Sequence, residues 1–414
     1  MGAKLPSALS EAERDELLRD VPRRPFPTYD DLPYSAFYHD HLIPNTPFLL
    51  SPEATRLWPA RTAWVEEGEE GDGAHRPNLH ALRAYAAQVV PVANTAEREF
   101  SEFERCERPL GEVLDAWSSG EGVSLYVKDW HLVAELELAG RSGREVYAPP
   151  PCFRDDWLSP PFDPSPSSKA VSHASTADFR FVYTGPAGTF TPLHRDVYGS
   201  YSWSANVMGR KLWWLFPPGT EKDPALRDSR DELLFDVRGL PAESKGVKVL
   251  QEEGEVIFVP SGWHHQVVNL DFCISINHNF FSSATLGRVY DTLRVSEARC
   301  AAAIDDVRDD IKKRLGTATV EVAGETLPAW EAEWASEVDG LLARDAGWGW
   351  VGFWTCVLEN VTRPPTSAEL SPPREDRDAF VRAVLERYRG SPEWRLLPEA
   401  RAVATEVEAL LSQA

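Results

Sequence analysis

The sequence predicts a mainly β protein with helices: a β-rich centre built as a sandwich or jelly-roll barrel, N-terminal helical elements before it and a helical region after it. From Asp178 to about Phe281, short apolar runs crowd together, in DFRFVYTG, SWSANVM, RKLWWLFP, EVIFVP, HHQVVN and CISINHNFF, and Gly and Pro separate most of them. From about residue 286 the pattern changes to helical spacing, in LGRVYDTLRVSEARCAAAIDDVRDDIKKRLG and RDAFVRAVLERYRG. A composition of 43% hydrophobic residues, with 15 Trp and 18 Phe, supports a sizeable aromatic core and excludes a disordered chain.

Along the chain, residues 1–34 read as a charged lead-in helix followed by the Pro-rich connector VPRRPFPTYDDLP. The central domain spans 35–285 and opens with FYHDHLIPNTPFLL, a turn feeding a buried strand, where Pro44 and Pro47 fix the approach. The acidic, Gly-rich stretch EEGEEGDGAH (66–75) reads as an exposed loop. AEREFSEFERCERPLGEVLDAWSSG has helical spacing, and GVSLYVKDWHLV turns to strand-like character. Residues 159–177, dominated by Pro, Ser and Ala, predict a loop excursion. In the C-terminal region, 286–414, the Trp-rich segment PAWEAEWASEVDGLLARDAGWGWVGFWTCV predicts packing between helices.

The net charge of −22 argues against general nucleic-acid binding, which needs a basic footprint, and suits a basic partner. Cys106, Cys152, Cys273, Cys300 and Cys356 are scattered and odd in number, the pattern of reduced thiols in the cytosol or nucleus. The first twenty residues lack the apolar core of a signal peptide, and no run approaches the ~18 apolar residues of a membrane span. The expectation is a soluble, cytoplasmic or nuclear protein without membrane contact.

His194 and Asp196, in TPLHRD, lie two apart, so in a strand both point to one face. Alone the pair reads as well as an ordinary hydrogen bond. His265, in VPSGWHHQVVNL, follows the approach to a new strand and can supply a third ligand, while His264 must then face the other way. Two imidazoles and one carboxylate leave three open positions on octahedral Fe(II), enough for a co-substrate and O₂ together. In RKLWWLFPP, alternation puts Lys211 on one face with Trp213 and Leu215. A Lys among so much apolar surface either snorkels to water or has an anion beside it. In ISINHNF, Ser275, Asn277 and Asn279 share a face, and Ile274 and Ile276 pack on the other.

The motifs TPLHRD, GRKLWWLFPP, GEVIFVPSGWHHQVVN and SINHNF occur together in the order and spacing of the JmjC (Jumonji C) oxygenases, and residues 35–290 resemble that family. The resemblance implies a double-stranded β-helix, a cupin-like jelly roll, that uses Fe(II), 2-oxoglutarate and O₂. It implies His194, Asp196 and His265 as iron ligands, and Thr191 and Lys211 as partners of the distal carboxylate of 2-oxoglutarate. Asn279, Asn277 and Tyr183 match strand positions that line the same pocket. Arg195 stands where the family more often has a small residue, at a position facing away from the metal. LYVKDWHL, DFRFVYTGPAGTFTPLHRD and SYSWSAN look closer to a subgroup of cytosolic lysyl hydroxylases that act on the eukaryotic translation termination (release) factor. The alternatives are N-methyl-lysine demethylation with the same oxidant and a catalytically inactive cupin-like binding protein.

Overall fold

A computed structural model describes residues 8–68, 75–159, 162, 178–241, 246–322, 324–363 and 369–413. Most of 66–75 and of 159–177 therefore lies outside the described residues, although Val65–Glu67 and His75–Pro77 pair as two short antiparallel strands. The chain divides into two compact units. The first comprises Met1–Arg154, Ser159–Asp196 and Tyr201–Phe280, and the second Asp155–Leu158, Val197–Ser200 and Phe281–Ala414.

The first unit is a jelly roll of two facing sheets. Its larger sheet has nine strands, in the order Thr28–Tyr29, Phe48–Leu50, Val256–Val259, Tyr201–Met208, Cys273–Phe280, Arg180–Gly185, Leu125–Trp130, Val89–Glu99 and Glu102–Pro109. The smaller sheet runs Val247–Gln251, Lys211–Phe216, His264–Asn269 and Phe190–Arg195. All pairings are antiparallel except that of Thr28–Tyr29 with Phe48–Leu50.

The Lys211–Phe216 strand is apolar on both faces, and both are used. Trp213 and Leu215 pack between the sheets with Leu49, Val249, Ile257, Val259 and Val267. Leu212, Trp214 and Phe216 join a second buried cluster with Phe103, Phe190 and Val268. Covering both faces buries apolar area worth roughly 25 cal/mol per Å² and holds the strand rigidly between its neighbours.

Ahead of the sheets, the lead-in forms the helix Glu11–Leu18, capped by a reciprocal Ser10–Glu13 pair. The helical spacing across AEREFSEFERCERPLGEVLDAWSSG gives a helix only over Leu110–Ser119. Before it, Val89–Glu99 and Glu102–Pro109 form a long hairpin at the edge of the large sheet. Glu-rich helix propensity loses there because Phe103 buries its ring against Phe190 and Phe235, which requires an extended chain.

In the second unit, helices Leu286–Ala303, Asp305–Leu315, Ala329–Asp345, Trp350–Thr362, Arg374–Arg389 and Pro398–Ser412 enclose their own core. Trp350, Phe353, Trp354 and Tyr388 fill it, and Ala400 and Ala404 lie buried among them, their small side chains allowing the last helix a close approach. The Trp-rich segment thus packs between helices at Trp350 and Trp354. Trp334 packs against the same core with the Arg308 cation over its ring, and Trp330 lies beneath the Lys312 cation.

Gly209 links the Tyr201–Met208 strand to the Lys211 strand with φ of 76°, and a Cβ there would meet the Phe272 carbonyl oxygen at 2.4 Å. Gly209→Ala should therefore cost roughly 2–4 kcal/mol of stability. Chemical denaturation checks this, and an unchanged midpoint would refute the reading of the turn.

Candidate active site

The His194 strand (Phe190–Arg195) and the His265 strand (His264–Asn269) run antiparallel, with His265 directly opposite His194. Opposed residues share a face, and the two ring centroids are 4.2 Å apart. Asp196, one residue past the strand end, completes the group: the ligand atoms of His194, Asp196 and His265 all lie within 4.8 Å of one another. Among the described residues, no other three His, Cys, Asp or Glu side chains converge in this way.

Each imidazole is oriented by the backbone. His194 Nδ1 lies 2.9 Å from the Pro192 carbonyl oxygen, and His265 Nδ1 lies 3.2 Å from that of Trp263. A carbonyl only accepts, so each Nδ1 carries the proton and each Nε2 keeps its lone pair for a metal. Burial, and then the neighbouring His265 ring, hold the His194 pKa well below its ordinary value, so the His194 ring is in the neutral form that ligation needs. Ser202 Oγ donates to Asp196 Oδ2 at 2.7 Å and fixes the carboxylate. The donor set, two neutral nitrogens and one carboxylate, fits Fe(II).

His264 faces away from this group, and its Nδ1 is buried without a hydrogen-bond partner among the described residues. Burial first, then Arg195 opposite it in the ladder, push its pKa down to about 4. Arg195 is itself exposed, on the side away from the metal ligands.

Thr191 and His194 are three apart, a spacing that would put them on opposite faces of a regular strand. The ladder shifts between the His265–His194 and Val267–Thr191 pairs, leaving one extra residue on the His194 strand. Thr191 and His194 consequently line one cleft. Pro192 sits in this irregular stretch of an edge strand, where its missing N–H breaks no ladder bond.

Away from the His–Asp–His group lies Lys211, only 2% exposed. Its Nζ donates to Ser275 Oγ at 2.7 Å and approaches the Tyr126 hydroxyl at 3.5 Å, with no carboxylate partner among the described residues. Burial lowers its pKa to about 8. The Tyr183 ring centroid lies 5.9 Å from the same nitrogen. A buried cation supported only by hydroxyls is suited to receive an anion.

One cleft connects these groups. His194, Asp196, His265, Thr191, Lys211, Tyr183, Asn277 and Asn279 all line it, so the structure brings together every site residue read from the sequence. Trp203, Trp213 and Val267 provide apolar wall. The buried Ser204 Oγ, also on the cleft, has no hydrogen-bond partner among the described residues, which further fits a polar ligand.

Sequence reasoning missed Tyr126, Ser202 and Ser204. Tyr126 lies in the recognised strand run LYVKDW, but nothing in that run shows that its hydroxyl meets Lys211.

Residues 181–280 match the family described as "JmjC domain, hydroxylase". The chain is 37% identical over 299 residues to the 2-oxoglutarate and iron-dependent oxygenase JMJD4 of Danio rerio, covering 67% of this chain and 65% of that protein. It is 36% identical over 299 residues to the protein of the same name in Homo sapiens, covering 67% and 66%. It is also 36% identical over 296 residues to the arginine-specific demethylase JMJ20 of Arabidopsis thaliana, covering 67% and 62%. The chain thus spans slightly less than two thirds of each of these relatives.

The geometry predicts which histidine binds metal. His265→Ala should lower Fe(II) affinity by at least about tenfold, as loss of a ligand requires, whereas His264→Ala should bind iron as the parent does. Direct metal titration distinguishes the two. Metal loss in the His264 variant alone would reverse the assignment.

Proposed function

We propose, from the premise that the chain belongs to the JmjC family, that it is an iron(II)- and 2-oxoglutarate-dependent protein hydroxylase acting on a lysine side-chain carbon of the translation release factor. The observation that carries the catalytic part is the presence, in one cleft, of a His–Asp–His donor set and a buried lysine that meets no carboxylate among the described residues. The substrate rests on the subgroup resemblance in LYVKDWHL and SYSWSAN, and on a net charge of −22, which favours a basic partner. All five cysteines are free, in keeping with a reducing cytosolic or nuclear setting. No described helix is long and apolar enough to cross a membrane.

In this reading His194, Asp196 and His265 hold the iron, and the Ser202 hydroxyl fixes the Asp196 carboxylate. Lys211 pairs with the distal carboxylate of 2-oxoglutarate, with the Thr191 and Tyr126 hydroxyls beside it on the cleft. Asn277 and Asn279 offer amides along the same wall, while Trp213 and Val267 keep water from the site. Iron, 2-oxoglutarate and O₂, when bound, supply the oxidation that converts a substrate C–H to C–OH while 2-oxoglutarate becomes succinate and CO₂. The protein's contribution is to place one substrate carbon next to that oxidant.

The similarity to an arginine-specific demethylase favours a second reading, N-methyl oxidation by the same machinery. The two differ in which substrate atom is placed nearest the metal.

Lys211 sets a pH dependence. A lysine whose folded pKa is depressed to about 8 is charged in both folded and unfolded states at pH 7, and there burial costs roughly 3 kcal/mol. As pH rises from about 8 towards the unfolded value the cost is relieved, so the ligand-free protein gains stability while losing its anion receptor. Affinity for 2-oxoglutarate should then fall about tenfold per pH unit above pH 8, and Lys211→Ala should abolish that slope and bind at least about tenfold more weakly at pH 7. A pH-independent affinity in the parent protein would remove Lys211 from the role.

Incubation with Fe(II), 2-oxoglutarate and either release factor or methylated histone peptides tests the substrate. The expected outcome is gain of one oxygen atom on a release-factor lysine, mapped by fragmentation mass spectrometry. Loss of methyl groups from the peptides, with the release factor unaltered, would favour the demethylase.

A further inference from the structure

The strand Leu125–Trp130 departs from regular pairing beside the cleft. Its register against the Tyr183 strand shifts between Val127 and Trp130, and Asp129 there adopts a left-handed backbone with φ of 68°. Such a conformation is unfavourable for a non-glycine residue, so the surrounding contacts must hold it. Those contacts are specific. Asp129 accepts a short hydrogen bond from the Tyr183 hydroxyl on one carboxylate oxygen, and Arg105 Nη1 donates to the other at 2.7 Å. Burial by itself would raise the Asp129 pKa, but Lys128, Arg105 and Tyr183 outweigh it and keep the carboxylate ionised.

Tyr183 carries this arrangement into the pocket. Its ring meets that of Tyr126 edge-on at 6.0 Å, and its centroid is 5.9 Å from Lys211 Nζ. The two tyrosines therefore flank the ammonium, Tyr126 through its hydroxyl and Tyr183 through its ring. With its hydroxyl committed to Asp129, the Tyr183 ring is fixed in place.

We propose that Asp129 is a positioning residue for the co-substrate pocket: by anchoring the Tyr183 hydroxyl, it holds the ring that sets where Lys211 presents its charge. The proposal rests on reading this pocket as the 2-oxoglutarate site. It accounts for the strained backbone, because continuing the Val127–Thr184 register would set Lys128, not Asp129, opposite Tyr183, and the shift brings the Asp129 carboxylate to that tyrosine instead.

The test compares Asp129→Ala, Asp129→Asn, Tyr183→Phe and the Ala–Phe double variant. Each is assayed for direct 2-oxoglutarate binding with Mn(II) in place of iron, and for KM and kcat in turnover. Asp129→Ala and Tyr183→Phe should each raise the 2-oxoglutarate requirement about tenfold, the scale of one hydrogen bond to a charged group, with kcat within about twofold. The double variant should be no worse than either single one, because both remove the same bond. Asp129→Asn keeps an acceptor for the phenol and should stay within about threefold of the parent. Tyr183→Phe removes a single oxygen and decides the question even if Asp129→Ala does not fold. Parent-like 2-oxoglutarate affinity in Tyr183→Phe, or additive losses in the double variant, would overturn the role of Asp129 while leaving the pocket intact. A parent protein that binds no 2-oxoglutarate would overturn the pocket reading and this proposal with it.

Discussion

The candidate site depends on the register between the His194 and His265 strands. His265 stands opposite His194, and because side chains alternate, a slip of one residue would replace His265 on the cleft face with His264. The same register locates the rest. The Lys211 strand pairs with the His265 strand so that Leu215 lies beside His265 and Lys211 beside Asn269. Four residues of strand, about 13 Å, therefore separate the His265 end of the ladder from the Lys211 end. Burial on both faces of the Lys211 strand makes this spacing costly to change.

Electrostatics within the same unit separates a buried cation that is matched by carboxylates from one that is not. Arg180 is as buried as Lys211, yet its guanidinium is matched by Asp178 at 2.6 Å and Glu137 at 2.8 Å. Its charge is neutralised inside the protein, and the arrangement has no need of an anion from solution. Among the described residues Lys211 meets only hydroxyls, and burial lowers its pKa. Of the two buried cations, the one that no carboxylate meets among the described residues is the one beside which an incoming carboxylate would gain most.

Much of this was legible in the sequence because regular strands repeat every two residues. The central strands, the opposite faces of Lys211 and Leu212, and the inward set Ser275, Asn277 and Asn279 follow from alternation and burial. Residues 96–109 were not legible in that way, since local helical spacing gives no sign of the pocket that Phe103 fills beside Phe190. Tyr126 escaped for a related reason: its strand is plain from the sequence, but its encounter with Lys211 joins residues 85 positions apart.

The remaining gaps share a physical cause. Thr191 with His194, and Asp129 with Tyr183, are pairs for which strict alternation gives the wrong faces, and each lies at a register shift. A third shift, between Asn206 and Met208, comes just before the Gly209 turn that leads into Lys211. Regular ladder positions fix strands in space but offer a pocket only every second side chain. Gathering donors from neighbouring or odd-spaced positions requires the ladder to be broken locally, at a cost in strain that the packed sheets on either side absorb. A fourth shift, between Asn94 and Arg98, lies in the edge hairpin, outside the residues that line the cleft, so a departure from the pattern gains meaning only from what it brings together. The left-handed backbone of Asp129 brings a carboxylate to the Tyr183 hydroxyl that alternation alone would turn to the wrong face.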